Sequence, residues 1–449
     1  WIHGVMSMPI ETKVARNIRP MEPALETLDT QLGAWGLSTP PLAADLAKAY
    51  EQSILYGEHT WGASSPWYGF WNNNIPNRGF LYGAAFEDAR AKGLYNKFEA
   101  SFNDHRAYIR ATEAVVAQGL SNRLALLAKN VNVPGKRVVV YNPLPWPRSG
   151  LVEVAGRPFY AEDVPANGYR TYTTYATNES HSSDSVLDTP FYRVAFDLRR
   201  GGISSLVEKK TGRELVDKSS AYALGQFIHE RFSHAQCYAY YNAFATMNNC
   251  HNGTVPLDMP ADAKYSVTTP RDWQLNIRRL PAADIATLTA RDTVGLGKAI
   301  TIAFTFPAKE PYVETDWRIA GKEADTIPEG GWLCFPFAVA QPRYTVGRLG
   351  GPIDLAKDQI PGGNRHLYAV NSGLGITAPD KTGVGLCAMD SPCVSFGEPG
   401  LWKYTFDYFP KQPWVFVNLH NNKWRTNYPH WTDGTWNSRV RFWPTGDTA

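Results

Sequence analysis

The stretch from Asn418 to Trp436 combines polar and aromatic side chains in a pattern suited to holding a sugar. It reads Asn-Leu-His-Asn-Asn-Lys-Trp-Arg-Thr-Asn-Tyr-Pro-His-Trp-Thr-Asp-Gly-Thr-Trp, and Trp424 lies near its centre. Aromatic rings can face the apolar C–H surface of a sugar, while amide and guanidinium groups bond to its hydroxyls. Tryptophan is also an ordinary strand residue. The stretch therefore predicts either a carbohydrate-binding surface, with Trp424 as a substrate-binding residue, or the brace of a large β-domain.

Two further pairs of polar residues stand in loops rich in glycine and could contact a substrate. Glu58 and His59 belong to Glu-His-Thr-Trp-Gly, where they could line a cleft or orient the Trp61 loop as a buried polar pair. Arg365 and His366 follow Pro-Gly-Gly-Asn, and the glycines permit a tight loop from which both side chains could reach a substrate. For this second pair the alternative is a solvated hairpin tip.

Composition describes an ordinary folded protein with no sign of a nucleic-acid or membrane partner. The 449 residues are 43% hydrophobic and 19% charged, which predicts two to four domains with their own cores. Aromatic residues make up 13% and favour a β-rich, carbohydrate-handling protein. The net charge is +3, without a dense basic run, so neither nucleic acid nor an anionic membrane surface is indicated. No stretch approaches the roughly 18–20 apolar residues that span a bilayer.

Cysteines and glycosylation motifs give little information about location. The five cysteines lack Cys-x-x-Cys spacing, so we expect small buried side chains rather than a zinc ribbon or redox motif. Asn178-Glu-Ser and Asn252-Gly-Thr match the N-glycosylation pattern and only weakly favour a secreted or periplasmic protein. The sequence leaves the oligomeric state open, a homo-oligomer included.

The first third of the chain has the apolar spacing of helices. Over residues 14–32 apolar side chains recur at steps of four and three, which places them on one helix face. Pro20 and Pro23 are expected to kink or split that helix. Further helices are predicted over residues 41–56 and over about 84–131. Three amphipathic segments pack naturally as a bundle.

After Pro134 the pattern changes to short strands separated by turn residues. Residues 136–141 are a β-branched run, and residues 312–319 alternate apolar and polar side chains, as a half-buried strand does. The chain is therefore predicted to be an α+β multidomain protein. A three-helix bundle over residues 10–132 is followed by a large antiparallel β-sandwich over residues 133–449.

Several motifs resemble glycoside hydrolase family 38, the α-mannosidases, and mainly a divergent bacterial and fungal branch of it. They are Asn-Pro-Leu-Pro-Trp-Pro at residues 142–147, the strand run at 187–217, and Asn-Asn-Lys-Trp-Arg-Thr-Asn at 421–427. The resemblance implies a galactose-mutarotase-like supersandwich and a retaining mechanism, with an aspartate nucleophile in an α/β domain. It also implies that residues 1–9 end that catalytic domain, so we expect the nucleophile upstream of Trp1.

Residues 2–9 resemble the motif that closes the family's catalytic domain and contains a zinc ligand. The alignment places His3 on the ligating histidine and Ser7 on the motif's serine, so the resemblance implies that His3 binds zinc with partners from the missing domain. Without the resemblance, His3 would be read as a terminal loop histidine. Gly4 stands where the family has an aspartate, so any sugar contact made by that aspartate is absent.

Three functions remain open at this stage. The first is a zinc-dependent retaining glycoside hydrolase acting on α-mannosides or related glycans. In that case these residues would be its helical and β-sandwich portion, inactive alone. The second is a non-catalytic carbohydrate-binding or scaffold protein. The third is a polysaccharide lyase, which would need a Tyr/His/Arg cluster between its helical domain and its β-sandwich.

Overall fold

The computed structural model describes residues 3–63, 81–173, 178–247, 259–424 and 427–446. Up to residue 130 these ranges are mainly helical, and beyond it they are mainly antiparallel sheet. A 3₁₀ turn at Gly4–Ser7 precedes the helices α1 (Pro9–Ile18), α2 (Met21–Ala34), α3 (Ala43–Tyr56), α4 (Gly83–Ala91), α5 (Asn96–Asn130) and α6 (His234–Met247). No helix within these ranges has the length and apolar character needed to cross a bilayer.

The long helix α5 is the centre of the bundle, and α1, α2 and α3 pack against it. Its buried side chains include Phe98, Phe102 and Ile109 and recur at helical spacing. The first predicted helix is split before Pro20, because proline has no N–H to donate to the preceding turn. The predicted helix over 84–131 is also two helices, separated near Gly93, whose φ of +71° lies in the left-handed region that favours glycine.

Within the described ranges the strands form a ten-stranded sheet, a six-stranded sheet and three small sheets. In chain order they are β1 (Val138–Asn142), β2 (Arg148–Val154), β3 (Arg157–Val164), β4 (Gly168–Tyr172), β5 (Ser180–Ser182), β6 (Val186–Asp188), β7 (Tyr192–Asp197), β8 (Gly202–Glu208), β9 (Gln226–Arg231), β10 (Ser266–Thr268), β11 (Arg271–Arg279), β12 (Ala283–Asp292), β13 (Ala299–Pro307), β14 (Val313–Lys322), β15 (Glu329–Pro336), β16 (Arg343–Arg348), β17 (Gly351–Asp354), β18 (Tyr368–Ala369), β19 (Leu374–Thr377), β20 (Gly383–Ala388), β21 (Cys393–Phe396), β22 (Trp414–Asn421) and β23 (Gly434–Thr445).

The two large sheets pack face to face around one apolar core. The ten-stranded sheet has the order β17-β16-β19-β20-β23-β14-β13-β12-β11-β5, and the six-stranded sheet has the order β10-β9-β15-β22-β21-β18. Trp317 from the first sheet and Phe335 and Val417 from the second belong to the same buried cluster. The predicted α+β multidomain fold with a large antiparallel sandwich is therefore confirmed, while its domain boundaries stay predictions.

The polar residues at the start of the 418–436 stretch are buried and act as a brace. Asn418, His420, Asn421 and Asn422 are 0% exposed. The Asn422 side-chain oxygen accepts a hydrogen bond from the Glu329 amide at 2.8 Å, and its Nδ2 lies 2.9–3.0 Å from three backbone carbonyl oxygens. These residues hold the sheet to its neighbouring loops, so they do not form an exposed sugar-binding surface.

Candidate functional site

The 3₁₀ turn at the start of the described chain packs against β22, and this contact buries His3 to 7% exposure. The Asn421 side-chain amide donates a hydrogen bond to the His3 carbonyl oxygen at 2.9 Å. The His3 ring lies nearly parallel to the Trp424 ring, with 6.3 Å between centroids and 12° between planes. The structure thus brings together two residues that sequence analysis selected separately.

Lys423 lies in the same place, and sequence analysis did not select it. Its Nζ is 3.2 Å from His3 Nε2, contacts the Leu401 carbonyl oxygen, and lies 3.4 Å from the centre of the Tyr240 ring. The Trp402 ring is 5.0 Å away. We call His3, Tyr240, Trp402, Lys423 and Trp424 the His3 cluster. The only signal for Lys423 was its place directly before Trp424.

The His3 cluster favours uncharged forms of its two basic groups. Burial lowers the pKa of Lys423 well below its ordinary value, because removal from water disfavours the charged form. Burial also lowers the pKa of His3, and Lys423 lowers it further. His3 Nδ1 has no hydrogen-bond partner among the described residues. A neutral imidazole with a free nitrogen is the form that binds a metal ion.

Gly4 has a structural role next to this cluster. A Cβ atom placed on Gly4 would lie about 2.5 Å from three carbon atoms of the Tyr428 ring. Tyr428 is itself 2% exposed and packs on the Trp61 ring, with 4.6 Å between centroids. The Tyr428 ring therefore fills the space that a side chain at position 4 would need.

Glu58 and His59 form an exposed pair, with 2.7 Å between Glu58 Oε1 and His59 Nδ1. The interpretation as a buried polar pair is therefore wrong, because these side chains are 46% and 65% exposed. The Asn427 side-chain amide donates to the His59 carbonyl oxygen at 2.7 Å, which ties this loop to the 418–436 stretch. Whether the pair contacts substrate stays a prediction.

Arg365 and His366 lie in a loop before β18 that packs against residues 405–408. His366 is 5% exposed, stacks on Tyr408 with 4.3 Å between ring centroids, and its Nε2 lies 2.9 Å from Thr405 Oγ1. Burial lowers the pKa of His366 to about 4. The alternative of a solvated hairpin tip is therefore wrong for His366, because its ring is packed inside a loop contact.

A second group of polar side chains is buried between the two large sheets. His229, Glu329 and His420 place their potential ligand atoms within 4.8 Å of one another, and they are the one such group of three among the described residues. His229 Nε2 is 2.9 Å from Glu329 Oε2, and neither ring nitrogen of His420 has a hydrogen-bond partner among the described residues. Two imidazoles and a carboxylate match the donor types of a zinc site.

Lys322 provides a positive charge in this group without any metal. Its Nζ donates to Glu329 Oε1 at 2.7 Å and to the carbonyl oxygens of Thr432 and Glu323 at 3.0 and 3.1 Å. Burial raises the pKa of Glu329, but Lys322 and the hydrogen bond with His229 outweigh burial and hold that pKa well below its ordinary value. The donor set could hold a metal ion, but an ammonium group already neutralises its carboxylate.

Comparison with known proteins shows a shared fold. No protein-family model and no curated protein matches the sequence. An α-mannosidase from Enterococcus faecalis aligns with 98% of this chain and 54% of its own, with a TM-score of 0.52 and 9% identity. A family 38 glycosyl hydrolase protein from the same species covers 98% and 57%, with a TM-score of 0.49 and 9% identity. A galactose mutarotase-like protein from Lactobacillus casei covers 58% and 99%, with a TM-score of 0.32 and 11% identity.

The first match relates the fold of this chain to that of one α-mannosidase. At 9% identity, the first match shows a common fold and does not extend to activity. The chain spans about half the length of that mannosidase, 54%.

Proposed function

We propose that this chain forms the helical and β-sandwich portion of a zinc-dependent retaining glycoside hydrolase that acts on α-mannosides or related glycans. The observation that carries the proposal is the fold shared with an α-mannosidase along 98% of the chain. The buried His3 beside Trp424, in the motif that resembles the family's zinc-binding segment, supports it.

In this proposal His3 supplies one nitrogen ligand, and carboxylate ligands come from an upstream α/β domain. Bound zinc would act as a Lewis acid that holds sugar hydroxyls. Both features of the His3 ring suit this role: burial keeps it uncharged, and Nδ1 is free of protein partners among the described residues. A neutral Lys423 amine can accept a hydrogen bond from His3 Nε2–H, and in that tautomer the lone pair of Nδ1 is left for the metal.

The other candidate residues receive different roles in the proposal. The Trp424 ring lies beside His3, the proposed zinc ligand, and could face the bound sugar. Glu58 and His59 are exposed and available to a substrate arriving from solvent. His366 is enclosed by Tyr408 and Thr405, so Arg365 is the member of that pair more available for a substrate contact.

The test measures zinc content and hydrolysis of an aryl α-mannoside in the full-length protein. We expect His3→Ala to lose zinc and activity together, whereas the matched control His181→Ala, at a histidine 58% exposed, keeps both. Wild-type zinc content in His3→Ala would contradict the ligand assignment. Residues 1–449 alone are expected to show no turnover, and measurable hydrolysis would overturn this division of roles.

A further inference from the structure

A cavity of about 300 Å³ lies on the six-stranded sheet beside β9 and β10. It is lined by Glu230 from β9, Phe232 just after β9 and Tyr265 just before β10, and also by Trp402 and Lys403 from the loop that follows β21. We call these five residues the Glu230 cavity. Trp402 is shared with the His3 cluster, but His3 does not line the cavity.

The carboxylate of Glu230 is held in place from behind. The Tyr265 hydroxyl donates to Oε1 and the Trp332 indole N–H donates to Oε2, both at 2.7 Å. Glu230 is only 4% exposed. A carboxylate can accept about four hydrogen bonds, so acceptor capacity remains for a ligand in the cavity. A buried carboxylate fixed by two donors is a preorganised acceptor.

The cavity wall also carries a cationic donor and aromatic rings. Lys403 pairs with Glu398 at 2.7 Å, and both side chains are about two-fifths exposed at 42% and 41%. The Phe232 ring lies 6.0 Å from the Tyr265 ring and 6.1 Å from the Trp402 ring, so apolar faces stand beside the polar groups.

This combination suits an uncharged ligand that carries hydroxyl groups. An anion would meet the carboxylates of Glu230 and Glu398, which both line the cavity, and the charge of Lys403 is already paired with Glu398. A polyhydroxylated molecule can donate to Glu230, accept from Lys403, and lay its C–H face on the rings. The volume of about 300 Å³ is at the lower end of small-ligand sites and fits a single sugar ring. The geometry points to a binding site for one neutral pyranose unit.

To test this, methyl α-mannoside, methyl α-glucoside and methyl β-galactoside are each titrated into the protein. Binding is measured by calorimetry and by tryptophan fluorescence. We expect saturable binding of at least one glycoside. Glu230→Gln should weaken it about tenfold or more, because a charge-assisted hydrogen bond is lost. Glutamine can still accept from Trp332 and donate to Tyr265, so the fold should persist, as circular dichroism would check. Lys403→Met, at the partly exposed rim, should weaken binding as well.

A matched control tests whether the effect is specific to this cavity. Glu113→Gln, at an exposed carboxylate of α5, should bind the glycoside like the wild type. Full affinity in folded Glu230→Gln, or no saturable binding of any of the three glycosides, would overturn the proposal. Binding of tetramethylammonium or phosphate in place of the glycosides would overturn the ligand class. Zinc retention in His3→Ala would refute the proposed metal ligand without affecting this result.

Discussion

Replacing Lys322 with methionine is expected to destabilise the contact between the two large sheets, because it removes the charge that neutralises a buried carboxylate. Lys322 ends β14 in one sheet and Glu329 begins β15 in the other. Their side chains are 5% and 1% exposed, with 2.7 Å between Nζ and Oε1. After the substitution, Glu329 would keep only the hydrogen bond with His229 on its carboxylate.

The expected magnitude follows from the burial of both partners. Removing one member of a buried ion pair costs about 3–5 kcal/mol, whereas replacing both members by apolar residues is often neutral or stabilising. Lys322→Met should therefore lower the free energy of unfolding by about 3–5 kcal/mol, and the double variant Lys322→Met with Glu329→Leu should recover most of it. For a domain of this size the single variant's thermal midpoint should fall by roughly 10 °C.

The assay is denaturant and thermal unfolding at neutral pH, followed by tryptophan fluorescence and by circular dichroism to separate sheet from helix. The matched control is Lys92→Met, which removes an ion pair to Asp88 at the same 2.7 Å, but with side chains 64% and 62% exposed. An exposed ion pair contributes at most about 1 kcal/mol, so Lys92→Met should leave the free energy of unfolding nearly unchanged. A Lys322→Met effect no larger than that of Lys92→Met would refute the reasoning, as would a double variant as unstable as the sum of its single changes.

Three further changes probe other parts of the structure. The pKa of His366 is about 4 in the folded protein and ordinarily 6.5, so its contribution to the free energy of unfolding should be fully present above pH 6.5 and fall as pH drops toward 4, by up to about 3 kcal/mol. Urea unfolding across that pH range should show that the free energy of unfolding depends less steeply on pH in His366→Gln than in the wild type. An unchanged pH dependence would contradict the assignment. Gly4→Ala should lower the free energy of unfolding by about 1–3 kcal/mol, because its Cβ would clash with the Tyr428 ring. In a double-mutant cycle, Tyr428→Ala should relieve that clash. Asn422→Ala should lose about 2 kcal/mol or more by leaving buried backbone groups unpaired, and a thermal midpoint equal to wild type would count against the brace.

Local patterns in the sequence determined whether a segment forms a helix or a strand. Alternation in residues 312–319 predicted one buried face, and Val313, Trp317 and Ile319 are at most 1% exposed. Pro20 marked a helix break, because a missing N–H acts within one turn. The same local chemistry selected Trp424 as a residue with a potential role, whereas His3 was selected through the resemblance of residues 2–9 to a family motif. Such features depend on neighbours a few residues away, so they can be read from the chain itself.

Only the tertiary structure decided which side chains meet. Lys423 reaches His3 across almost the whole chain, and His229 meets Glu329 from a different strand of the same sheet. Strand order and register decide these contacts, and a period of two residues does not specify which strands become neighbours. The tertiary structure also decided which polar residues are buried. Those at the start of the 418–436 stretch suggested an exposed sugar-binding surface, but they brace the fold instead, because β22 lies inside the six-stranded sheet. The Glu230 cavity exists only where separate strands and a loop converge.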